Sequence, residues 1–370
     1  MRVHVIPLVA LASLANIASA ISFADDCSKS DAPPLPPSIE FPTSSSVNCS
    51  GKHARTKPPA GAIVVDITGK YEGSFKTLTE GIANIPNTTE VTTVFIFPGV
   101  YVEQVVVEKI TSPLVIQGYT CNTMKYSANQ VTVTQAKAQR EVPPEITQNR
   151  NFFTSTMGFK SQSGVKVYNL NVANTAGEIV KDGQAVAVYV DNTDYGFYAC
   201  NFTGFQDTLC ANKGRELYVK SYIRGTVDIV FGQRAMAWFE SCDIEAISKG
   251  FITANGNQNE TVVSEFVFNK ARVFGLKRKV TMLGRPWREY ARVVFQQSKL
   301  GEVVDPKGWS VWDDTMSTKN VYLNEYNNTG LGAELDGRVE FSGQLDAAKK
   351  MSDILGKGHE KYWWVDTKFF

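Results

Sequence analysis

The chain has 370 residues, 43% of them hydrophobic and 20% charged, which suits a large buried core and excludes a disordered or fibrous protein. Its 38 Lys and Arg against 37 Asp and Glu leave a formal charge of +1. No strong overall field therefore points to nucleic acid or to a membrane surface.

Residues 1–20, "MRVHVIPLVALASLANIASA", have a basic start, an apolar middle and a small-residue end. That is the pattern of a secretory signal peptide cut near Ala20, and the apolar run is short for a bilayer span. Losing this leader removes Arg2 alone and leaves 37 cationic against 37 anionic side chains. Residues 21–60, with "APPLPPS" and "TKPPAG", read as an extended or poorly ordered arm. Residues 61–370 form the remaining domain.

"GAIVVDITG" (61–69) is the first expected strand. "SFKTLTEGIANIP" follows as a helix, with Phe75, Leu78, Ile82 and Ile85 at helical spacing, Ser74 as its cap and Pro86 beyond its end. From there to about residue 325 the chain is a series of short β runs, among them "TTVFIFPG", "VKVYNLNV", "AVAVYV", "ELYVKSYI" and "RVVFQQSKL". "LDAAKKMSDIL" (345–355) reads as a late helix. The aromatic ending "KYWWVDTKFF" reads as a cap that packs down.

Short strands with turn signals suit a sandwich or a barrel. A repeat favours a different all-β fold. "YACNFTGFQD" ends at Asp207 and "YVKSYIRGTVD" ends at Asp228, 21 residues later. One more such step aligns Cys200, Ser221 and Cys242. A fixed period of this length is the signature of a solenoid, here a parallel β-helix with one coil per repeat.

Stacked coils would set Asp207 and Asp228 side by side, ~4.8 Å apart along the ladder. Two adjacent carboxylates cannot both ionise cheaply, so one holds a proton while the other stays charged. Such a pair divides acid/base and nucleophilic work. The competing reading is two aspartates on a solvated face. The same geometry sets Cys200 and Cys242 two coils apart, roughly 9–10 Å, beyond disulfide reach. The connectivity of Cys27, Cys49, Cys121, Cys200, Cys210 and Cys242 is otherwise open, and a secreted chain permits disulfides. Asn48, Asn87, Asn201, Asn259 and Asn327 each begin an N-x-[ST] triplet, a glycosylation signal where exposed.

The three histidines, His4, His53 and His359, lie outside the β region, and no G-x-S-x-G occurs. A Ser-His-Asp hydrolase does not fit, nor does a zinc site or a nucleotide-binding loop. Carboxylates must carry any catalysis.

Five motifs, in order, resemble the pectin methylesterases (pectinesterases), especially plant ones: "GVYVE" (99–103), "GQAVAV" (183–188), "GFQDTL" (204–209), "VDIVFG" (227–232) and "LGRPW" (283–287). The resemblance runs from about residue 60 to the C-terminus. It implies a right-handed parallel β-helix and a secreted esterase that removes methyl groups from galacturonate esters in pectin, with no metal or cofactor. It assigns Asp228 as nucleophile, Asp207 as general acid/base, Gln184 and Gln206 as oxyanion donors, and Arg285 as the group orienting Asp228. Phe231, Trp287 and Trp309 match positions lining the pectin cleft, with Thr156 and Phe152 more loosely aligned; the lesser alternative for Trp287 and Trp309 is that they are core aromatics. Expected partners are pectin and a proteinaceous pectinesterase inhibitor, with no nucleic acid and no membrane, and the expected state is a monomer.

Adjacent strand residues point to opposite faces, so Gln206 and Asp207 require a local bend, expected at Gly204. Ser221 replaces a Cys that plant members pair with the Cys at position 242, leaving Cys242 free or bonded elsewhere, with Cys210 as the speculative partner. Only about 40 residues separate the leader from the first strand, too few for an inhibitor-like pro-region. Two rivals stand beside this reading: a β-helix that only binds acidic polysaccharide, and a calcium-dependent pectate lyase.

Overall fold

The computed structural model describes residues 49–370. The expected leader, most of the expected arm, Cys27 and Asn48 lie outside the described residues.

Every pairing between named strands is parallel, and the strands stack in three rows. One row runs from Gly99–Val102 through Val131–Gln135, Asn171–Asn174, Asn201–Thr203, Tyr222–Gly225 and Asp243–Ala246 to Arg272–Phe274 and Lys299–Leu300. A second runs from Ile63–Val65 through Thr92–Ile96, Leu114–Gly118, Val165–Tyr168, Tyr195–Tyr198, Arg234–Glu240 and Glu265–Asn269 to Arg292–Gln296 and Tyr322–Tyr326. A third carries Val105–Val107, Met157–Phe159, Val188–Asp191, Val230–Gly232, Gly250–Asn255 and Thr281–Pro286, and the long strand Leu209–Val219 serves both the second and third rows. This is the parallel β-helix that the period implied.

The step is 21 residues where the sequence showed it: Val188 pairs with Leu209 and Leu209 with Val230, and Asn201 pairs with Tyr222 and Tyr222 with Asp243. Beyond that it lengthens to 29 from Asp243 to Arg272 and 27 from Arg272 to Lys299.

One corner repeats on successive coils from residue 169 onward. Asn169, Ala199, Lys220, Ser241, Lys270 and Gln297 all have left-handed backbone, with φ of 47–55°. The residue after each turns inward, and these are Leu170, Cys200, Ser221, Cys242, Ala271 and Ser298, all buried. Hydroxyls there replace missing ladder bonds: Ser221 Oγ accepts from the Cys200 amide at 3.1 Å. Inside the coil, Phe197, Tyr218, Phe239, Phe268 and Phe295 stack with centroids 4.3–5.0 Å apart and planes within 7°. The ladder spacing itself dictates that contact.

Cys200, Cys210 and Cys242 are free and buried, so the speculative Cys210–Cys242 bond does not form. Cys242 turns into the core at a corner, whereas Cys210 packs with Tyr189 and Phe231 on the outer face of the third row. Cys49 is bonded to Cys121. Residues 49–60, expected to be loose, are tied down. Besides that disulfide, Arg55 donates to Asn169 Oδ1 at 2.6 Å and to the Gly118 carbonyl at 3.1 Å.

The first helix is Leu78–Ala83, capped by Thr77 and not Ser74. Thr77 and Glu80 form a reciprocal capping box. The late helix is only Met351–Leu355, because the Leu345 amide still bonds the Glu325 carbonyl as part of the ladder. The aromatic C-terminus does pack down: Trp364 and Phe369 are buried against Tyr168, Tyr198 and Leu217.

Candidate active site

Gln206 and Val227 form a parallel bridge, and Leu209 pairs with Val230. Asp207 and Asp228 are therefore equivalent positions on neighbouring coils, as the period required. The bend between Gln206 and Asp207 comes from Asp207 itself, at φ 63°, and Asp228 repeats it at φ 51°. Aspartate is among the few residues that adopt this conformation at modest cost. Gly204 plays a different part. A Cβ there would lie 2.8 Å from Thr208 Oγ1, and one on Gly225 would lie 2.6 Å from it. The two glycines make room for that hydroxyl, which donates to the Arg224 carbonyl at 3.0 Å and braces the turn.

Arg285 comes from the strand Thr281–Pro286, two rungs beyond Phe231. Its guanidinium holds Asp228 by two hydrogen bonds, Nε to Oδ1 at 2.9 Å and the terminal nitrogen to Oδ2 at 2.7 Å. Two rings fix its plane, Phe251 at 4.1 Å and Trp312 at 4.0 Å. Asp207 and Asp228 are both buried.

Burial pushes the Asp207 carboxyl well above the usual carboxylate range, and the charge of Asp228 pushes it further; Arg285 and Asn151 oppose this only in part. Burial also raises Asp228, but there the bidentate Arg285 pulls directly back. These causes favour the proton on Asp207 and the charge on Asp228.

Gln184 and Gln206 flank the pair. The Ala185 amide donates to the Gln206 carbonyl at 3.1 Å, which sets Gln184 one coil before Gln206. Neither carboxamide nitrogen donates to any described residue, and Gln184 Oε1 is buried without a donor. Both half-buried carboxamides retain N–H groups for a ligand.

The cleft residues divide. Phe152, Phe231 and Trp287 pack together with Tyr189 and Cys210 on the outer face of the third row. Trp309 does not join them. It is fully buried in the main core, its ring 6.0 Å from Phe295 at the end of the aromatic stack, because its backbone bridges to Gly284 and its side chain turns inward. Trp312, three residues on, occupies the cleft instead, 6.5 Å from Trp287. Thr156 is also fully buried, and its hydroxyl is spent on the Ala173 carbonyl at 3.0 Å. It supports the coil and lines nothing.

Asn151 was not foreseen. Its Nδ2 reaches Asp207 Oδ2 at 3.4 Å, and Gln139 Nε2 donates to its Oδ1. The only sequence signal was its position beside Phe152. Among the described residues no group of three or more His, Cys, Asp or Glu stands together as a metal site.

Comparison with known proteins bears on this arrangement. The family profile described as "Pectinesterase" matches residues 62–354. The chain is 41% identical to a pectinesterase of Aspergillus aculeatus over 327 residues, 86% of this chain and 95% of that one. Its fold is similar to the pectin methylesterase of Aspergillus niger, with TM-score 0.76, 29% identity, and 85% of this chain and 100% of that one covered. It is also similar to the pectin methylesterase from carrot, with TM-score 0.68, 28% identity, and 79% and 90% covered. The plant likeness of the motifs thus has a counterpart, but the 41% identical relative is fungal. The chain belongs to the pectinesterase family and is an enzyme of that family.

Proposed function

We propose that the protein removes methyl groups from methyl-esterified galacturonan in pectin with Asp228 as nucleophile and Asp207 as proton carrier. The observation that carries the reading is the charge division: two buried aspartates on adjacent coils, only one of them clamped by a bidentate arginine.

An ionised Asp228 oxygen attacks the C6 ester carbonyl, and its C–O π bond opens to an oxyanion. The N–H groups of Gln184 and Gln206 donate to that oxygen. As the tetrahedral centre collapses, the bond from C6 to the methoxy oxygen breaks and Asp207 gives that oxygen its proton. Methanol leaves, and an anhydride joins C6 to Asp228. Asp207, now a carboxylate, takes a proton from water as the hydroxide oxygen attacks C6. The anhydride opens, Asp228 regains its charge and Asp207 its proton. The new galacturonic acid loses its own proton to solvent.

Phe231, Trp287, Trp312 and Phe152 give the sugar chain apolar walls. Secretion, action on the plant cell wall, a monomeric state and sensitivity to a protein inhibitor belong to the same reading.

The test is methanol release from esterified galacturonan by wild type, Asp228→Asn and Asp207→Asn, with thermal melts to verify folding. Release by wild type, lost in Asp228→Asn, is expected. Undiminished release by a folded Asp228→Asn protein rejects the assignment. So does no release by wild type.

A further inference from the structure

The chain between the strands Val131–Gln135 and Met157–Phe159 makes a long excursion that ends beside the catalytic pair. It is fastened along its length. Asn174 Nδ2 donates to the Lys137 carbonyl at 2.9 Å. The Gln139 amide donates to the Gln184 carbonyl at 2.9 Å, and the Arg140 amide to the Asp182 carbonyl at 3.0 Å. Arg150 closes the excursion from within: its guanidinium donates to the carbonyls of Gln139, Val142, Pro143 and Ile146 at 2.7–3.1 Å. Asn149 turns the chain there with left-handed backbone, φ 53°, and the short helix Arg150–Thr154 follows. Asn151 is thereby set against Asp207 by a braced loop that also bonds the backbone of Gln184.

The Asn151 carboxamide is oriented. Gln139 Nε2 donates to its Oδ1, which leaves Nδ2 to reach Asp207 Oδ2 at 3.4 Å. An N–H is accepted best by a carboxyl oxygen without a proton, so this contact reserves Oδ2 and leaves Oδ1 to carry the proton. The charged and titratable groups facing Asp207 are Asp228, Arg285 and the Cys210 thiol. The excursion adds no charge of its own to them. Arg140 pairs with Glu141 at 2.8 Å, and Arg150 is spent on carbonyls. When methanol departs, Asp228 is tied up as a neutral anhydride and Asp207 becomes the charged carboxyl. Its supports are then Arg285 and the Asn151 amide, both of which favour the ionised form.

We propose that Asn151, oriented by Gln139, is a positioning residue for the proton carrier: it fixes Asp207 through Oδ2 and stabilises the carboxylate left when Asp207 gives its proton to departing methanol. This deepens the pectinesterase reading and rests on it. Gln139 acts only through Asn151 in this account. Its side chain aims the carboxamide, while its backbone amide belongs to the bond with Gln184 and survives any side-chain change.

The test compares wild type, Asn151→Ala, Gln139→Ala and the double variant, with thermal melts to verify folding. A carboxyl-carbon NMR titration without substrate comes first. In Asn151→Ala the Asp207 signal should titrate higher by about half to one pH unit, the scale of one long hydrogen bond to a charged group. Gln139→Ala should move it the same way by less, and adding it to Asn151→Ala should change nothing further. Methanol release against pH comes second. Asp207 must be protonated for the first step, so the alkaline limb of kcat/KM should move up with the NMR value. At the optimum kcat should fall about three- to tenfold with KM nearly unchanged, because a carboxyl that holds its proton more tightly delivers it more slowly. An Asp207 titration that stays in place or moves down in folded Asn151→Ala overturns the proposal, and so does a loss confined to KM. If Asn151→Ala fails to fold, an unmoved titration in Gln139→Ala overturns it equally. An upward shift in a protein that releases no methanol would sink the esterase reading and leave Asn151 holding Asp207.

Discussion

Arg285→Ala would delete a guanidinium that makes hydrogen bonds of 2.9 and 2.7 Å to a carboxylate only 6% exposed. Removing one partner of a buried ion pair typically costs about 3–5 kcal/mol. The Arg285 side chain is 18% exposed, so solvent screens the pair in part and about 2–3 kcal/mol is the better expectation. The cost falls on ionised Asp228 and is relieved by protonation. Burial alone already raises this carboxyl, and without Arg285 nothing opposes it. At 1.36 kcal/mol per pH unit, its titration should move up by roughly two pH units. Asp228 must be charged to attack, so activity that falls on the acid side in wild type should begin falling at higher pH in the variant. The assay is methanol release against pH, with circular dichroism to establish folding. Near neutral pH kcat should drop about 10²–10³-fold, from lost charge and lost orientation together. Arg285→Lys should recover only part, because an ammonium has neither the fork nor the flat face that Phe251 and Trp312 hold. A folded Arg285→Ala enzyme whose acid limb coincides with that of wild type would refute the reasoning.

Gln184→Leu and Gln206→Leu should each lower kcat about 10²–10³-fold with little change in KM, read from steady-state methanol release. Trp312→Ala should raise KM and leave the melting temperature nearly unchanged, whereas Trp309→Ala should destabilise the fold by about 3–5 kcal/mol in denaturant unfolding, being fully buried in the core. Glu216 is buried, its carboxyl pushed well above the usual range by burial, with Oε1 unpaired and Oε2 accepting from Tyr218 at 2.5 Å. A raised folded value means stability that is full below the unfolded pKa and lost as pH rises through the folded one. Glu216→Gln should therefore flatten the alkaline side of a melting-temperature profile.

The central coils were legible because they are equal in length. No loop interrupts the chain between residues 188 and 246 by more than a turn, so the 21-residue step shows directly as aligned aspartates and corner residues. Later coils carry inserts such as 256–264 and 275–280, which break the count without breaking the ladder. The two aspartates stood out through that step, and Gln184, Gln206 and Arg285 through the motifs that carry them. The apolar site residues did not. Trp309 and Trp312 differ by three residues in "GWSVWDD", and which ring enters the core depends on the bridge from Trp309 to Gly284, a long-range contact. Thr156 failed for a related reason, since its hydroxyl answers a carbonyl 17 residues away. The bend at Asp207 was anticipated but assigned to the nearest glycine, when the aspartates themselves turn the chain.

The division of labour between the two carboxyls depends on which of them holds the proton. A carboxyl-carbon NMR titration of the wild-type enzyme, with signals assigned through Asp207→Asn and Asp228→Asn, measures this directly. Asp207 should titrate at higher pH than Asp228, and removing the Asp228 charge should lower it. If Asp228 proves the harder of the two to ionise, then Asp228 is not the attacking group and Asp207 is not the proton carrier.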